Sequence, residues 1–275
     1  MAIEFIGVGA QKSGTSWVYA CLYEHPEICA PIKELHFFSR PRYAKGQEWY
    51  EHHFRNCEAS KITGEFSTSY LVSPEAPERM HQLYPDAKLI AILRNPTERA
   101  YSNYRNAIKA GEIAKDVSFA TFLATEPTAI AQGKYHEQLE RYYNYFSKDR
   151  VLVLIYEDSL KDPAAFIKQI YTFLGVDADF APSMLHREIN IGRTPKAVGV
   201  DTVMHRVAET LRTIGADKVV WLVKKSGLTD VIRRVNTESP KEAKPDLGNM
   251  NHYFRADAEK LRDLLGRDMV QEWNL

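Results

Sequence analysis

The chain has 275 residues with Lys+Arg and Asp+Glu equal at 36 each, so no global field favours nucleic acid or an anionic membrane, and any anion binding has to be local. A hydrophobic share of 44% and a charged share of 26% are those of an ordinary globular protein that buries one large core, as one domain or one with an embedded subdomain. The three cysteines, Cys21, Cys29 and Cys57, are odd in number and lack paired metal spacing, which fits buried thiols in a reducing compartment better than a disulfide framework or a structural zinc. Met-Ala-Ile-Glu leads directly into a strand without a basic leader, and no apolar run approaches the roughly 18 residues of a membrane span; the expected location is the cytoplasm.

Glu4 to Val8 reads as a buried strand, and Thr15 to Tyr23 as a helix with Trp17, Val18, Cys21 and Leu22 on about one face. Between them, Gly9 and Gly14 keep the four-residue gap of a nucleotide triphosphate loop, yet Thr15 stands where that pattern has lysine, and the lysine lies back at Lys12. Backbone N–H groups of such a turn, added to the positive end of the following helix, still make an anion cradle. His25-Pro26-Glu27 breaks the helix and Ile28 to Ile32 extends as a second strand. Lys33-Glu34-Leu35-His36-Phe37-Phe38 then sets two charges and a histidine before and among aromatic residues. The stretch through Trp49, Tyr50, His52 and His53 reads as a loop or short helices, and Ile62 to Tyr70 as a strand running into the polar Ser67-Thr68-Ser69.

Lys88 to Leu93 is the clearest buried parallel strand, a continuous apolar run with Arg94-Asn95-Pro96 at its carboxyl end. Thr97 or Asn95 caps the helix that follows, with Pro96 in its first turn. Arg94 and, two helical turns along, Ser102 can converge on one ligand. Ligands of open α/β sheets bind at the carboxyl ends of strands, so two such elements at one edge point to a ligand with two anionic groups. Tyr135 to Phe146 is a tyrosine-rich helix, Val151 to Tyr156 a strand, Pro163 to Leu174 a helix closed by Gly175, and His252 to Leu265 a final helix. The predicted fold is α/β, a single domain over residues 1–275 with a central parallel sheet flanked by helices. A basic, helical variable segment covers about 195–245, with amphipathic stretches around Val203 to Ile214 and Lys218 to Val223; its Lys224-Lys225 and Arg233-Arg234 pairs read as a solvated face, with binding of acidic partners as the alternative.

Gln11-Lys12-Ser13-Gly14-Thr15-Ser16-Trp17 resembles the 5′-phosphosulfate loop of sulfotransferases that use 3′-phosphoadenosine 5′-phosphosulfate (PAPS), and Leu93-Arg94-Asn95-Pro96 with Glu98 to Ser102 resembles their 3′-phosphate element. The two matches come in family order, on strand-turn-helix contexts. Similarity continues through Glu34 to Phe38, Gly64 to Ser67, Tyr135 to Leu139, Tyr156-Glu157-Asp158, Phe173-Leu174-Gly175 and Leu265 to Asp268. The glutamate before His-Phe-Phe is that of glycan-type members; small-molecule cytosolic members use a histidine elsewhere in the chain.

The resemblance implies PAPS as sulfonate donor, no metal, and an acceptor bearing a hydroxyl group. Negative charge then grows on the oxygen that bridged sulfur and phosphorus, and positioning with charge stabilisation does most of the work. It assigns Lys12 to that oxygen, Ser13, Gly14, Thr15 and Ser16 to the 5′-phosphate, Arg94 and Ser102 to the 3′-phosphate, Trp17 to adenine, and Gly192 with Arg193 to a closing loop. Glu34 is the expected general base, with His36 as the runner-up. Glu65, Ser67 and Tyr135 are expected to help hold the acceptor, and Phe66 stands where some polysaccharide-modifying members have lysine. The expected reaction is in-line transfer to a carbohydrate hydroxyl, with a small natural-product or lipid hydroxyl as the alternative acceptor. Outside the class stand a P-loop-like kinase, which the missing Gly-Lys step opposes, and a nucleotide-binding module without turnover.

Overall fold

The computed structural model describes residues 3–185, 194–195, 237–238 and 247–275. Five strands, β1 (Phe5–Gly9), β2 (Ile28–Cys29), β3 (Ile62–Phe66), β4 (Lys88–Leu93) and β5 (Val151–Ile155), form one sheet in the order β2-β3-β1-β4-β5. Every pairing is parallel. Their carboxyl ends therefore share one edge, and the turns that follow β1, β3, β4 and β5 carry the polar residues singled out above. The helices that reconnect them include α1 (Thr15–Glu24), α2 (Gly46–Glu51), α3 (Ala76–Leu83), α4 (Pro96–Ala110), α5 (Phe119–Thr125), α6 (Pro127–Ala131), α7 (Tyr135–Tyr143), α8 (Tyr156–Lys161) and α9 (Pro163–Leu174).

The strands are near-continuous apolar runs because both faces are covered. Leu89 to Leu93 are all buried, and one core cluster joins Phe5, Ile90 and Ile92 to Val18 and Leu22 of α1 and to Phe166 and Ile170 of α9. α9 starts on Asp162, whose carboxylate accepts the Ala165 N–H at 2.9 Å, and stops on Gly175 at φ 85°. After β6 (Thr194–Pro195) and β7 (Thr237–Glu238), the C-terminus forms α10 (Arg255–Leu265) and α11 (Met269–Trp273). Arg267 pairs with Asp158 at 2.5 Å, and the Trp273 indole N–H donates to Glu157 at 3.2 Å. Those bonds fasten the chain's end to the turn after β5.

Contacts divide the chain into two compact units, one of Met1–Ala100, Glu126–Ile189 and Leu247–Leu275, the other of Tyr101–Thr125 and Asn190–Asp246. The first holds the sheet. Within the second, Tyr101 and Tyr104 pack on Phe119 at centroid distances of 5.3 and 5.5 Å, and β6 pairs antiparallel with β7. The predicted helices around Val203 to Ile214 and Lys218 to Val223, and both dibasic pairs, lie outside the described residues.

Three local expectations need correction. β2 ends at Cys29 rather than Ile32, since Pro31 has no N–H to continue a ladder. β3 ends at Phe66, and Ser67 to Tyr70 fold into a turn closed by Tyr70 N–H on Ser67 O at 3.3 Å. Cys29 and Cys57 are not thiols but a disulfide, because β2 and the turn after Phe54 bring their Cα atoms to 5.7 Å; Cys21 remains a buried thiol, and burial pushes it up to about 12.

Candidate active site

The turn after β1 leads into α1 through glycine. Gly14 is the N-cap of α1 at φ 77°, a left-handed position that favours glycine, and a Cβ there would lie 2.8 Å from the Tyr156 ring. No side chain caps α1 and its first turn has no acidic residue; Trp17 and Val18 are the first to bond back, both to Gly14 O. The N–H groups of Thr15 and Ser16 thus meet no protein acceptor among the described residues, as expected of a helix N-terminus. Ser13 is fully buried, and its Oγ has no partner among them either. An unsatisfied buried hydroxyl costs roughly 1–3 kcal/mol, which a bound oxyanion at this helix end would offset. The donor set, N–H groups and hydroxyls with Lys12 beside them, fits a phosphate-type anion.

A second arm comes from β4. The Asn95 side chain caps α4 by accepting the N–H groups of Thr97 and Glu98 at 3.0 and 3.1 Å, with Pro96 in the first turn. Glu157 accepts the Asn95 N–H at 2.9 Å and so locks the turn. Arg94, half-buried, donates from Nη1 to Lys12 O at 3.0 Å, lies 5.1 Å over the Tyr156 ring and pairs with Glu98 at 3.6 Å. The loop after β1 and the turn after β4 therefore share a hydrogen bond across 82 residues of sequence.

The third arm is Lys33 to Phe38, laid beside the end of β3. Lys33 bridges to Phe66, and the Glu34 N–H donates to Phe66 O at 2.8 Å. The Glu34 carboxylate accepts Lys33 Nζ at 2.6 Å, the Thr68 N–H at 3.1 Å and the Thr68 hydroxyl at 3.1 Å, with His36 Nε2 at 3.3 Å. His36 Nδ1 meets Ser69 Oγ at 2.7 Å, and Ser69 Oγ meets Ser39 Oγ at 2.6 Å. Burial holds the His36 imidazole below its ordinary value; Glu34 opposes this, while Arg40, Arg42 and Lys33 add to it. The aromatics after Glu34 turn away from it, Phe37 stacking on Tyr50 at 4.5 Å and Phe38 packing edge-on to Tyr70 at 5.4 Å. The end of β1 packs against the turn after β3 at Gly9, where a Cβ would lie 3.2 Å from Thr68 O and 2.8 Å from Leu71 Cβ.

Lys12, Glu34 and His36 all have left-handed backbone, at φ 69°, 61° and 54°. Among the described residues only one other non-glycine, Asn274, shares a positive φ. Left-handed backbone at a residue bearing a side chain is costly and clusters where geometry serves function.

The expected acceptor contacts are corrected by burial. Glu65 and Ser67 are fully buried, and so is Phe66, which packs under Gly7. Glu65 accepts hydroxyls from Ser67 at 2.6 Å, Tyr70 at 2.5 Å and Tyr50 at 3.1 Å, and desolvation pushes its carboxyl up to about 7 against the pull of those three bonds. Tyr135 is buried too, and its hydroxyl donates to Arg94 O at 2.9 Å, which places it behind the second arm. Trp17 is half-buried, tilted on Phe166 at 5.9 Å with its indole N–H on Met184 O at 3.0 Å. Ser102 lies on the part of α4 that belongs to the second unit, and Gly192 and Arg193 lie outside the described residues. Thr68, Ser69, Tyr50 and Tyr70 went unassigned from the sequence; the polar run at the end of a predicted strand was the signal available for the first two.

The sequence profile of the sulfotransferase domain matches residues 3–194. Heparan sulfate glucosamine 3-O-sulfotransferase 6 of Homo sapiens is 33% identical over 180 residues, 62% of this chain and 51% of its own length. Bifunctional heparan sulfate N-deacetylase/N-sulfotransferase 4 of Mus musculus is 32% identical over 195 residues, 63% of this chain and 22% of its own. The chain thus spans about half, or less, of the length of these curated relatives. A crystal structure of a sulfotransferase from Alicyclobacillus acidocaldarius superposes with a TM-score of 0.73 at 26% identity, covering 100% of both chains. The profile match covers more than half of the sequence, and it falls on the strands and turns that build all three arms: the chain belongs to the sulfotransferase domain family.

Proposed function

We propose that this sulfotransferase takes its sulfonate group from PAPS and delivers it in line to a hydroxyl of a carbohydrate acceptor, with Glu34 as the general base. The observation that carries this reading is the coincidence of left-handed backbone with Lys12, Glu34 and His36 at the carboxyl ends of two adjacent strands. The donor, when bound, supplies the sulfonate and a phosphate leaving group. Ser13 and the N–H groups at the start of α1 hold the 5′-phosphate, and Lys12 neutralises the charge that grows beside it. Arg94, fixed through its own carbonyl by Tyr135, reads the 3′-phosphate, and the half-buried Trp17 is the adenine contact. Glu34 removes the proton of the acceptor hydroxyl, while His36 and Thr68 keep its carboxylate aimed.

A carbohydrate is preferred because relatives at 32% and 33% identity are named for heparan sulfate. With Cys29 and Cys57 paired, the thiol argument for the cytoplasm falls away, and a disulfide of this kind favours an oxidising compartment. Among the described residues no helix is long and apolar enough to cross a membrane. The direct test supplies 35S-labelled PAPS with desulfated heparan oligosaccharides on one arm and small phenolic and lipid alcohols on the other. Label on the oligosaccharide is the expected result; label on the alcohols alone removes the carbohydrate, and no transfer to any acceptor removes the reading.

A further inference from the structure

The segment that carries Glu34 and His36 is short, irregular and left-handed at two positions, so something has to hold it there. Its backbone is tied at five places. Glu34 N–H donates to Phe66 O at 2.8 Å, His36 N–H to Ser67 Oγ at 3.0 Å and Phe37 N–H to Tyr70 OH at 2.8 Å. Leu35 O accepts Arg42 Nη1 and Phe38 O accepts Arg79 Nη1, both at 2.8 Å. The two hydroxyls in this set, of Ser67 and Tyr70, are free to rotate unless their protons are claimed. Both protons go to one group, the fully buried Glu65 carboxylate. Ser67 and Tyr70 are thereby left with lone pairs turned to the His36 and Phe37 N–H groups.

We propose that Glu65 is a positioning residue for sulfonate transfer: its carboxylate orients the Ser67 and Tyr70 hydroxyls, which in turn hold the backbone of His36 and Phe37 and so keep Glu34 and His36 aimed at the reacting centre. Glu65 has no access to the acceptor, and it acts through this relay alone. Tyr50 from α2 supplies its third hydroxyl bond. Among the described residues no cation is bonded to it, so its anionic form rests on hydroxyls, each replaceable by its isostere. The inference rests on Glu34 being the base, as proposed above, and deepens that reading.

Glu65→Gln keeps the shape but offers one acceptor oxygen and a donor in place of two acceptor oxygens. Amide hydrogen exchange of His36 and Phe37 in the 15N-labelled protein is expected to speed up at least tenfold, with the amides of Leu89 to Leu93 within twofold of wild type. With 35S-labelled PAPS and a desulfated heparan oligosaccharide, kcat is expected to fall at least tenfold while KM for PAPS stays within twofold. Exchange at His36 and Phe37 within twofold of wild type overturns the proposal, as does faster exchange spread equally over β4, or an unchanged kcat. Tyr70→Phe serves if Glu65→Gln does not fold: it removes one hydroxyl from Glu65 and, of the two backbone links, only that of Phe37, so it should free that amide and leave that of His36 held, and an unchanged Phe37 amide overturns the relay. Glu34→Gln in the same assay separates the two ideas. Full activity there removes Glu34 as base, whereas the amide exchange still decides whether Glu65 holds the segment.

Discussion

The loop after β1 and the segment beside β3 contribute to the proposed site by opposite devices. In Gln11 to Ser16 the buried Ser13 hydroxyl and the N–H groups of Thr15 and Ser16 meet no protein partner among the described residues. Lys33 to Phe38 closes its groups, with backbone N–H and C=O fastened by Phe66, Ser67, Tyr70, Arg42 and Arg79 and the Glu34 carboxylate ringed by Lys33, Thr68 and His36. A part that receives an anion gains by staying unsatisfied until the anion arrives. A part that aims a base gains by being over-determined, because small misplacement of a reacting group costs rate steeply.

That contrast breaks first at Glu34. Glu34→Gln is expected to lower turnover by about 10²–10⁴ while the affinity for 3′-phosphoadenosine 5′-phosphate, measured by calorimetry, stays as in wild type; weaker binding would make the segment part of the donor site. Lys12→Ala should cost about 10²–10³ in rate, and near-wild-type turnover would remove Lys12 from the chemistry. A sharper test concerns the charge under the closed segment. The Glu65 carboxyl is raised by burial from 4.5 to about 7, so its contribution to stability is fully present below about 4.5 and is lost as pH rises through 7. That slope amounts to about 3 kcal/mol at 1.36 kcal/mol per unit, and denaturant unfolding of Glu65→Gln at pH 5 and pH 8 should show it gone; an unaltered slope would place the titration elsewhere. The smallest effect is expected at Arg94. Arg94→Ala should weaken 3′-phosphoadenosine 5′-phosphate about tenfold, some 1.4 kcal/mol, and adenosine 5′-phosphosulfate less. Equal losses would mean that Arg94 matters through Lys12 O alone.

How legible each part was follows from the range of its interactions. The anion loop, Asn95 as a cap and β4 were readable because glycine spacing, capping and an apolar run are local signals. The bond from Arg94 to Lys12 O was not, since it joins residues far apart in sequence. Glu65 and Ser67 misled for a different reason. Polar residues at the carboxyl end of a strand ordinarily face ligand, and only the convergence of Tyr50, Tyr70 and the His36 backbone shows that these two face inward. The disulfide escaped notice because three cysteines have no parity to exploit and the approach of Cys29 to Cys57 depends on a two-residue strand.

Gly7 sits mid-strand in β1 opposite Phe66, and a methyl group there would lie 2.1 Å from that ring. The missing Cβ is what lets β3 bring the Phe66 ring against its neighbour, and Phe66 O is the acceptor that anchors Glu34. The position of Glu34, the proposed base, thus depends on an absent methyl group. Positions 7 and 66 are coupled by volume: a larger residue at 7 needs a smaller one at 66. A side chain added at position 7 therefore reaches Glu34 through Phe66, whose ring it would displace and whose carbonyl accepts the Glu34 N–H.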